Sequence, residues 1–554
     1  MGETRRPGGS TTSGRGRSRR EILLLGLGAA GALALAGCGD DHADSPAHYL
    51  GPVDNGQAPR TDADLCVYGA TPAGIAAAVQ ARRMGLRTTL LAFDDEIGGM
   101  MSGGLSATDT GYTSTIGGFA REIFAAIGEH YRSTGPVYNF EPHVARDVFV
   151  AVLKKAGVRV LTRQRLAEVV LSGNRIRWIN TDGGGTHRAN AFVDASYEGD
   201  LLAAARVAFV TGRESNGEYG ETLNGVQNRP AGSTFLSCVS PYRRDGDPTS
   251  GLLPDVSANG LGTTGQQSPL GMDFCFRLCL AHAGSNARPF PKPAAYDPER
   301  YELHRRYLAA GNRNVMSFLV ELPGRKYDLN NSGPVSTNLV GGSANWATAD
   351  YARREQIYQD HLAYQQGLLW FLANDPAVPA WQRTQARSLG LAADEFVDSD
   401  NWPRQLYVRE ARRMVSDYVA TEADASGTRR CPDPIAYASF KVDSHAVQRV
   451  VANNCLVNEG GVDVPVPGPW TVSLRSILPR RQECVNLVVP VCVSSSHVAW
   501  SSLRMEPVLM MLGQVAAIAA GTGIRRGVAV QDVAYPEIRA ALQRLRLPLP
   551  AAAA

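Results

Sequence analysis

Apolar and polar positions along the chain change their pattern several times. Residues 22–37 (ILLLGLGAAGALALAG) form one apolar run with no period. Residues 39–60 (GDDHADSPAHYLGPVDNGQAPR) are polar and rich in Gly, Pro and Asp. At Asp64 short apolar segments begin. DLCVY (64–68) predicts a strand, residues 69–74 a turn and residues 72–84 an alanine-rich helix stopped by Gly85; RTTLLAF (87–93) predicts a second strand. This is the pattern of a βαβ unit, about thirty residues long. Residues 145–157 (ARDVFVAVLKKAG) follow a helical period, and VRVLTRQ, AEVVLSG, RIRWINT and THRANAFVDAS then alternate as a β-meander does, with TDGGGT as a turn. Further on, residues 349–374 predict a long helix, CVNLVVPVCV (484–493) a strand, and PVLMMLGQVAAIAAGTG (507–523) a helix of small residues.

The first forty residues change the picture of where the protein works. Arginines crowd residues 1–20 and end in Arg19-Arg20, the apolar run follows, and Leu35-Ala36-Gly37-Cys38 closes it. A basic segment, a short apolar segment and small residues before a cut describe a signal peptide, here assigned to 1–38. The arginine pair resembles a twin-arginine export signal, and the last four residues resemble a lipoprotein box that places a lipid on Cys38. The alternative is a single N-terminal membrane anchor. Both put the body outside the cytoplasm, tethered to a membrane by a flexible linker at 39–60.

Composition adds less. The 554 residues are 44% apolar, enough for a large core, and the net charge of +3 comes from mixed signs with no basic stripe for nucleic acid. Besides Cys38, the cysteines are Cys66, Cys238, Cys275, Cys279, Cys431, Cys455, Cys484 and Cys492, without a C-x-x-C array, so no metal or iron–sulfur site is expected. Cys275 and Cys279, four apart, are expected to share a helix face as small buried hydrophobes. A disulfide among the others is open, and its pairing is not readable from sequence.

The turn YGATPAG (68–74) carries the first chemistry. In a dinucleotide-binding turn G-x-G-x-x-G the first glycine makes the reversal, the second admits the pyrophosphate and the third lets helix and strand approach. Gly69 and Gly74 keep the outer roles. Thr71 replaces the middle glycine, and its hydroxyl can donate to a phosphate oxygen. The acid that normally ends the second strand and binds ribose is replaced by Ala92. Asp94 or Asp95 stands in for it, or both are solvated loop acids.

Beyond the turn, IGGMMSGGL (97–105), IGGFAREIF (116–124), FEPHVA (140–145), VDASYEGDLLAAA (193–205), GRESNGEYGETLNG (212–225), NNSGPVSTN (330–338), LYVREARRM (406–414), DSHAVQRVV (443–451) and SSSHVAWSSLRMEPVLMMLGQVAA (494–517) occur in order. Together they resemble the bacterial FAD-dependent oxidoreductase family. Its members often carry the label "xanthan lyase", and it is grouped distantly with the flavin-binding polypeptide of heterodisulfide reductase. The resemblance implies an α/β fold: a Rossmann-type FAD-binding domain, discontinuous over 61–213 and 441–545, with an inserted α+β substrate or cap domain over 214–440. It implies FAD as cofactor, with Gly69, Thr71 and Gly74 at the pyrophosphate, Asp94 near the ribose, and Gly98, Gly99, Gly103 and Gly104 passing close to ribityl and flavin. It places Asp194 and Ser196 at the end of a strand returning to the sheet, and the amides of Gly513 and Gln514 at the flavin pyrimidine edge. The iron–sulfur motifs of the heterodisulfide reductase relatives have no counterpart here.

FAD leaves the protein to supply a base and to orient substrate. His497 and His445 are the candidate bases; Arg409, Arg412 and Arg504 are candidates to hold an anionic or polyhydroxyl substrate or to stabilise reduced flavin, with Asp443 and Glu506 orienting His445 and Arg504. The expected activity is oxidation of a C–OH or C–N bond of a small polar molecule, such as a sugar derivative, with electrons passed on to an acceptor the sequence does not name. A polysaccharide lyase and a non-catalytic surface binding protein are the alternatives.

Overall fold

The computed structural model describes residues 47–51, 58–228, 235 and 237–550. The signal peptide read at 1–38, including Cys38, lies outside them, as do residues 39–46 and 52–57 of the tether. The described chain forms one compact unit.

Strand β1 (Arg60–Tyr68) is buried at alternate positions in its first half and continuously from Leu65 onward. That change follows its neighbours, because the second half is covered on both faces. β1 leads through the turn into α1 (Pro72–Arg83), then β2 (Thr88–Leu91). A one-turn helix α2 (Gly99–Ser102) and helices α3 (Gly118–His130) and α4 (Pro142–Ala156) precede β3 (Arg159–Leu161). The meander β4 (Leu166–Ser172), β5 (Arg175–Thr181) and β6 (Thr186–Asp194) follows, with a short helix α5 (Asp200–Ala204) after it; VRVLTRQ, expected as the meander's first strand, is corrected to β3 at the opposite edge, parallel to β2. The sheet order is β3-β2-β1-β6-β5-β4. β1, β2 and β3 pair in parallel, and β1 pairs in parallel with β6. β5 pairs antiparallel with the first half of β6, while the second half takes a different parallel partner from far down the chain, β16 (Leu487–Val488), with Phe192 opposite Leu487. One sheet is therefore closed by segments nearly three hundred residues apart, at a doubly covered position where only apolar residues fit.

The middle of the chain builds a second sheet. β7 (Leu278–His282), β8 (Ala287–Arg288), β9 (Val320–Leu322), β10 (Lys326–Leu329) and β11 (Leu389–Ala392) lie in the order β9-β10-β7-β11-β8, all antiparallel. The long helix α6 (Tyr351–Asn374) packs its Tyr358, Leu362 and Leu369 into a core with Phe274, Phe276, Leu278 and Leu280. Cys279 lies on β7 opposite Asp328, and Cys275 precedes that strand. The helix expected to carry both is corrected to extended chain; both thiols are buried. The alternation of Phe274, Phe276, Leu278 and Leu280 is a strand period, and it outweighs the four-residue spacing of the cysteines.

Four short strands then form two hairpin pairs: β12 (Val442–Ser444) with β15 (Val462–Val464), and β13 (Gln448–Ala452) with β14 (Cys455–Glu459). Cys455 at the start of β14 forms a disulfide with Cys238. Helix α7 (His497–Leu503) and helix α8 (Glu506–Arg526) complete the part of the fold that matters to the site. By length and composition α8 could cross a membrane, but 89% of its apolar window is buried inside the protein. It is the core helix that α1 packs against. At their crossing a Cβ on Gly513 would lie 2.0 Å from the Ala73 carbonyl oxygen, so only glycine permits the two backbones to meet.

Candidate functional site

The turn after β1 is built almost wholly from main chain. Gly69 has φ +102, and a Cβ there would stand 2.7 Å from the backbone of Ala195 and Ser196; one on Gly74 would stand 1.9 Å from the Gly69 carbonyl oxygen. Both positions exclude a side chain. Thr71 is the N-cap of α1: its Oγ1 accepts from Gly74 N at 3.2 Å and donates to Ala195 O at 2.7 Å. The expected hydroxyl contact to phosphate is corrected on this point, since the proton is already given to the end of β6. The amides of Ala70, Thr71 and Ala73 find no acceptor among the described residues, and they sit at the positive end of α1, the arrangement that holds an anion.

The glycine loop behind the turn is tied to it, because Gly98 N donates to Ala70 O at 2.9 Å. A Cβ on Gly99 would come within 2.5 Å of Tyr197 Oη and 3.2 Å of Thr71, so the two loops fold onto one another. Gly103 and Gly104 abut Gln405 and the Arg277 carbonyl, where a Cβ would clash. Asp194 does not reach the cleft. It is buried and accepts from Ser196 N, Ser196 Oγ and Leu202 N, which fixes the turn after β6, and burial pushes it up to about 6. Ser196 lines the cleft.

Ala92 sits inside the sheet edge, bonded to Leu161 O and Gln164 N. Asp94, two residues on, lines the cleft and is pushed up to about 6 by burial, whereas Asp95 turns outward onto Arg163. Of the two acids only Asp94 lines the cleft. Glu96 lines the same cleft and burial pushes it up to about 7; sequence reasoning did not single it out. Nor did it find Tyr49, which belongs to the stretch read as a flexible tether. Tyr49 lines the cleft with its ring 4.9 Å from Phe93 and 5.1 Å from Trp346, and its Oη accepts from Arg354 at 3.3 Å. No local pattern marks an aromatic residue in a polar stretch for this role.

Tyr197 is the link to the next space. Its Oη accepts from Met100 N and donates to Glu506 Oε1 at 2.5 Å. It lines the cleft and also a constriction of about 20 Å³ bordered by Asp109, Tyr407, Arg409, Arg504 and Glu506. Burial pushes Glu506 up to about 7. Its expected partnership with Arg504 is corrected: Arg504 is held by Tyr407 Oη at 2.8 Å and Asp443 at 2.9 Å. Gly513 and Gln514 lie in the interior of α8, well past its first turn, and their amides are committed to the helix. Gln514 bridges Phe119 N and Gln80. Their assignment to the flavin edge is corrected for that reason.

Asp109 also borders a polar cavity of about 350 Å³. His445 stands in its wall, with Nε2 3.3 Å from Asp443 and Nδ1 3.3 Å from Asn338 Nδ2. An ionised Asp443 only accepts, so Nε2 carries the proton and Nδ1 is the unprotonated nitrogen, which accepts from Asn338 Nδ2. Burial and then the nearby Arg409 charge bring His445 down to about 4, so it is neutral at pH 7. Burial opposes the ionisation of Asp443, yet His445 and Arg504 outweigh it and hold the carboxyl well below its ordinary range. Arg409 is 1% exposed, donates to Asp273 O and Asn338 Oδ1, and lies over the Tyr407 ring. Arg412 faces away, onto Asp200 and Glu198 O. His497 reaches no cavity wall itself. Both its nitrogens are engaged, by Glu410 and by Ser444, and it is 1% exposed. Of the two candidate bases His445 lines the cavity, and His497 sits behind Ser444, which lines it.

Cleft, constriction and polar cavity thus adjoin in sequence through Tyr197 and Asp109. Along them Arg404 Nε, Arg409 Nε, Arg504 Nε and Glu506 Oε2 are buried without a hydrogen-bond partner. Buried polar atoms left so cost roughly 1–3 kcal/mol each, and these four are placed to meet a ligand with acceptors and donors. Together with the turn amides, the residues fit a flavin dinucleotide. Elsewhere Glu141, His143 and Glu395 gather as metal ligands can, but Lys326 Nζ already ion-pairs with Glu141 and Glu395 at 2.7 Å.

Comparison with known proteins agrees with this reading. The family model described as FAD dependent oxidoreductase matches residues 64–542. A search of curated proteins finds none that matches. The solved structures named below overlap about a quarter of this chain. A flavin monooxygenase variant from Stenotrophomonas maltophilia shares 20% identity over 24% of this chain and 37% of its own, with a TM-score of 0.19. A cyclohexanone monooxygenase variant from Rhodococcus sp. Phi1 shares 19% over 24% and 26%, with a TM-score of 0.20. The amino acid oxidase NikD of nikkomycin biosynthesis shares 15% over 28% and 56%, with a TM-score of 0.21. The chain thus spans well under two thirds of these neighbours, and overlaps this partial carry no argument about substrate. The family match covers most of the chain, and the protein belongs to the FAD dependent oxidoreductase family, with FAD as its cofactor.

Proposed function

We propose that this flavoenzyme oxidises a C–OH or C–N bond of a small, uncharged or weakly charged polyhydroxyl molecule, such as a sugar derivative, in the cavity that holds His445. The observation that carries the reading is the composition of that cavity: Asp109, Asp273, Asn330, Asn331 and Asn338 offer donors and acceptors, and a neutral imidazole stands among them. Bound FAD supplies the hydride acceptor. The chain's own residues do the rest. Asp273 orients a hydroxyl group toward His445; the hydroxyl displaces the 3.3 Å contact from Asn338 Nδ2, and His445 Nδ1 takes its proton as the C–H bond breaks. Asp443, already bonded at Nε2, stabilises the imidazolium that results. Arg409 and Arg504 place two positive charges at the constriction, and these would stabilise negative charge on a reduced flavin held beside them. The inserted second sheet and α6 act as the substrate-side domain, and β16 with α8 returns the chain to the nucleotide-binding sheet.

Export is part of the proposal. The twin-arginine and lipoprotein patterns ending at Cys38 support a lipid-anchored protein facing away from the cytoplasm, and the Cys238–Cys455 disulfide supports an oxidising compartment. The test is spectroscopic. The purified protein is expected to show bound flavin absorption, and a panel of polyols, aldoses and amino sugars is expected to contain a compound that bleaches it under anaerobic conditions. A flavin spectrum that no donor of this class bleaches overturns the substrate assignment. The anchor is tested separately, by mass spectrometry of the mature N-terminus for a lipid on Cys38.

A further inference from the structure

Ser444, at the end of β12, borders the polar cavity, and three groups line up behind it. Its Oγ lies 2.8 Å from His497 Nε2, and His497 Nδ1 lies 3.0 Å from both carboxylate oxygens of Glu410. Glu410 is ion-paired with Arg413 and is therefore ionised and purely an acceptor. Nδ1 must then carry the imidazole proton, which leaves Nε2 bare and makes Ser444 the donor of the bond between them. Ser444, His497 and Glu410 are 6%, 1% and 5% exposed, so this orientation is held away from bulk water. The amides of His445 and Ala446, directly after Ser444, find no acceptor among the described residues, and both residues border the same cavity. The flavin reaction leaves all of these groups unused.

We propose that Ser444, His497 and Glu410 are a nucleophile, a base and an orienting carboxylate, and that the chain has a second activity: acyl transfer from a carboxylic ester of a small polar alcohol to water. The hydroxyl of Ser444 attacks the ester carbonyl carbon and its proton passes to His497 Nε2. The new bond is Ser444 Oγ to acyl carbon; the bond that breaks joins that carbon to the alcohol oxygen. The alcohol leaves with the proton from His497. Water then gives a proton to His497, its oxygen attacks the acyl carbon, and Ser444 leaves with that proton, releasing the acid. Glu410 keeps the imidazole in the tautomer the step needs, and the amides of His445 and Ala446 are the donors available to the oxyanion. No electrons are exchanged, so this activity is independent of the flavin.

The test uses the intact purified protein and a fluorophosphonate probe, which reacts with serine hydroxyls that have a base behind them. Intact-mass analysis is expected to show one adduct, mapped by peptide sequencing to Ser444, and p-nitrophenyl acetate is expected to be hydrolysed. Ser444→Ala, which removes one hydroxyl, is expected to keep the circular dichroism spectrum and to lose the adduct entirely. His497→Gln is expected to slow labelling roughly a hundredfold, the size of a general-base contribution. Wild-type protein with a folded spectrum that stays unlabelled overturns the proposal, as does an adduct that persists in Ser444→Ala. Wild type and Ser444→Ala decide the matter even where the buried His497 variant does not fold. Labelling of Ser444 by protein stripped of flavin separates this activity from the redox one.

Discussion

The cleft at the 69–74 turn and the cavity around His445 adjoin one path and are built in opposite ways. The cleft is backbone: glycines that admit no Cβ, a capping threonine and amides at the start of α1, all within one short turn of sequence. The cavity is side chain: Asp109, Asp273, Asn338, His445 and Asp443 come from four separated segments and fix one another through hydrogen bonds. A main-chain site binds what every FAD shares and tolerates little change. A side-chain site selects the substrate and tolerates substitution at the expense of rate.

That contrast is open to direct attack. His445→Gln is expected to lower kcat by about a hundredfold or more while flavin content and melting temperature stay near wild type; an equal loss of flavin would merge the two sites into one. Gly74→Ala, whose Cβ meets the Gly69 carbonyl oxygen at 1.9 Å, is expected to cost about 1–3 kcal/mol as overpacking does and to empty the protein of flavin, read by thermal melting and by visible flavin absorbance. Thr71→Ala removes the N-cap of α1 and its bond to Ala195 O, for an expected loss of about 1 kcal/mol. Thr71→Ser keeps both bonds and is expected to restore the melting temperature, whereas a phosphate-binding role alone would leave stability unmoved. Tyr49→Ala removes a ring packed on Phe93 and Trp346 and is expected to weaken FAD binding by about tenfold, the scale of an aromatic contact, checked by flavin titration.

The pH profile sharpens the same comparison. His445 must be neutral to take a proton, and its value is brought down to about 4 from the ordinary range. The base form is therefore present throughout the neutral range. Protonation of His445 is expected to add an acid limb only below about pH 4, falling about tenfold per unit, while Asp273, pushed up to about 7 by burial, titrates separately. A limb near the ordinary histidine value of about 6.5 that is lost in His445→Gln would mean that His445 lacks the burial and arginine neighbours described. The limb below about pH 4 should vanish in His445→Gln.

Most strands and helices of the nucleotide-binding part were legible because their signals are local. The DLCVY strand, the alanine helix, the meander to Asp194 and the helix carrying Gly513 all occur where the hydrophobic period puts them. The glycine turn was legible for the same reason, although the role of Thr71 was not: whether a hydroxyl caps a helix or waits for phosphate depends on where Ala195 O lies, far along the chain. Gly513 and Gln514 were misread because a small-residue helix looks alike whether its first turn or its middle faces a ligand. His445 and His497 sit in equally suggestive motifs, and only the fold sends one to the cavity and the other behind Ser444.

By itself the sequence determined the βαβ start, the nucleotide turn and the family, since each is written in neighbouring residues whose spacing follows backbone geometry. The tertiary structure alone decided that Asp94 rather than Asp95 faces the cleft, that Tyr49 packs into its wall, that Cys238 pairs with Cys455, and that His445 rather than His497 stands in the cavity wall. Those outcomes depend on side chains brought together from distant segments by burial of the two cores, and no local spacing records which of several similar groups arrives within hydrogen-bond reach.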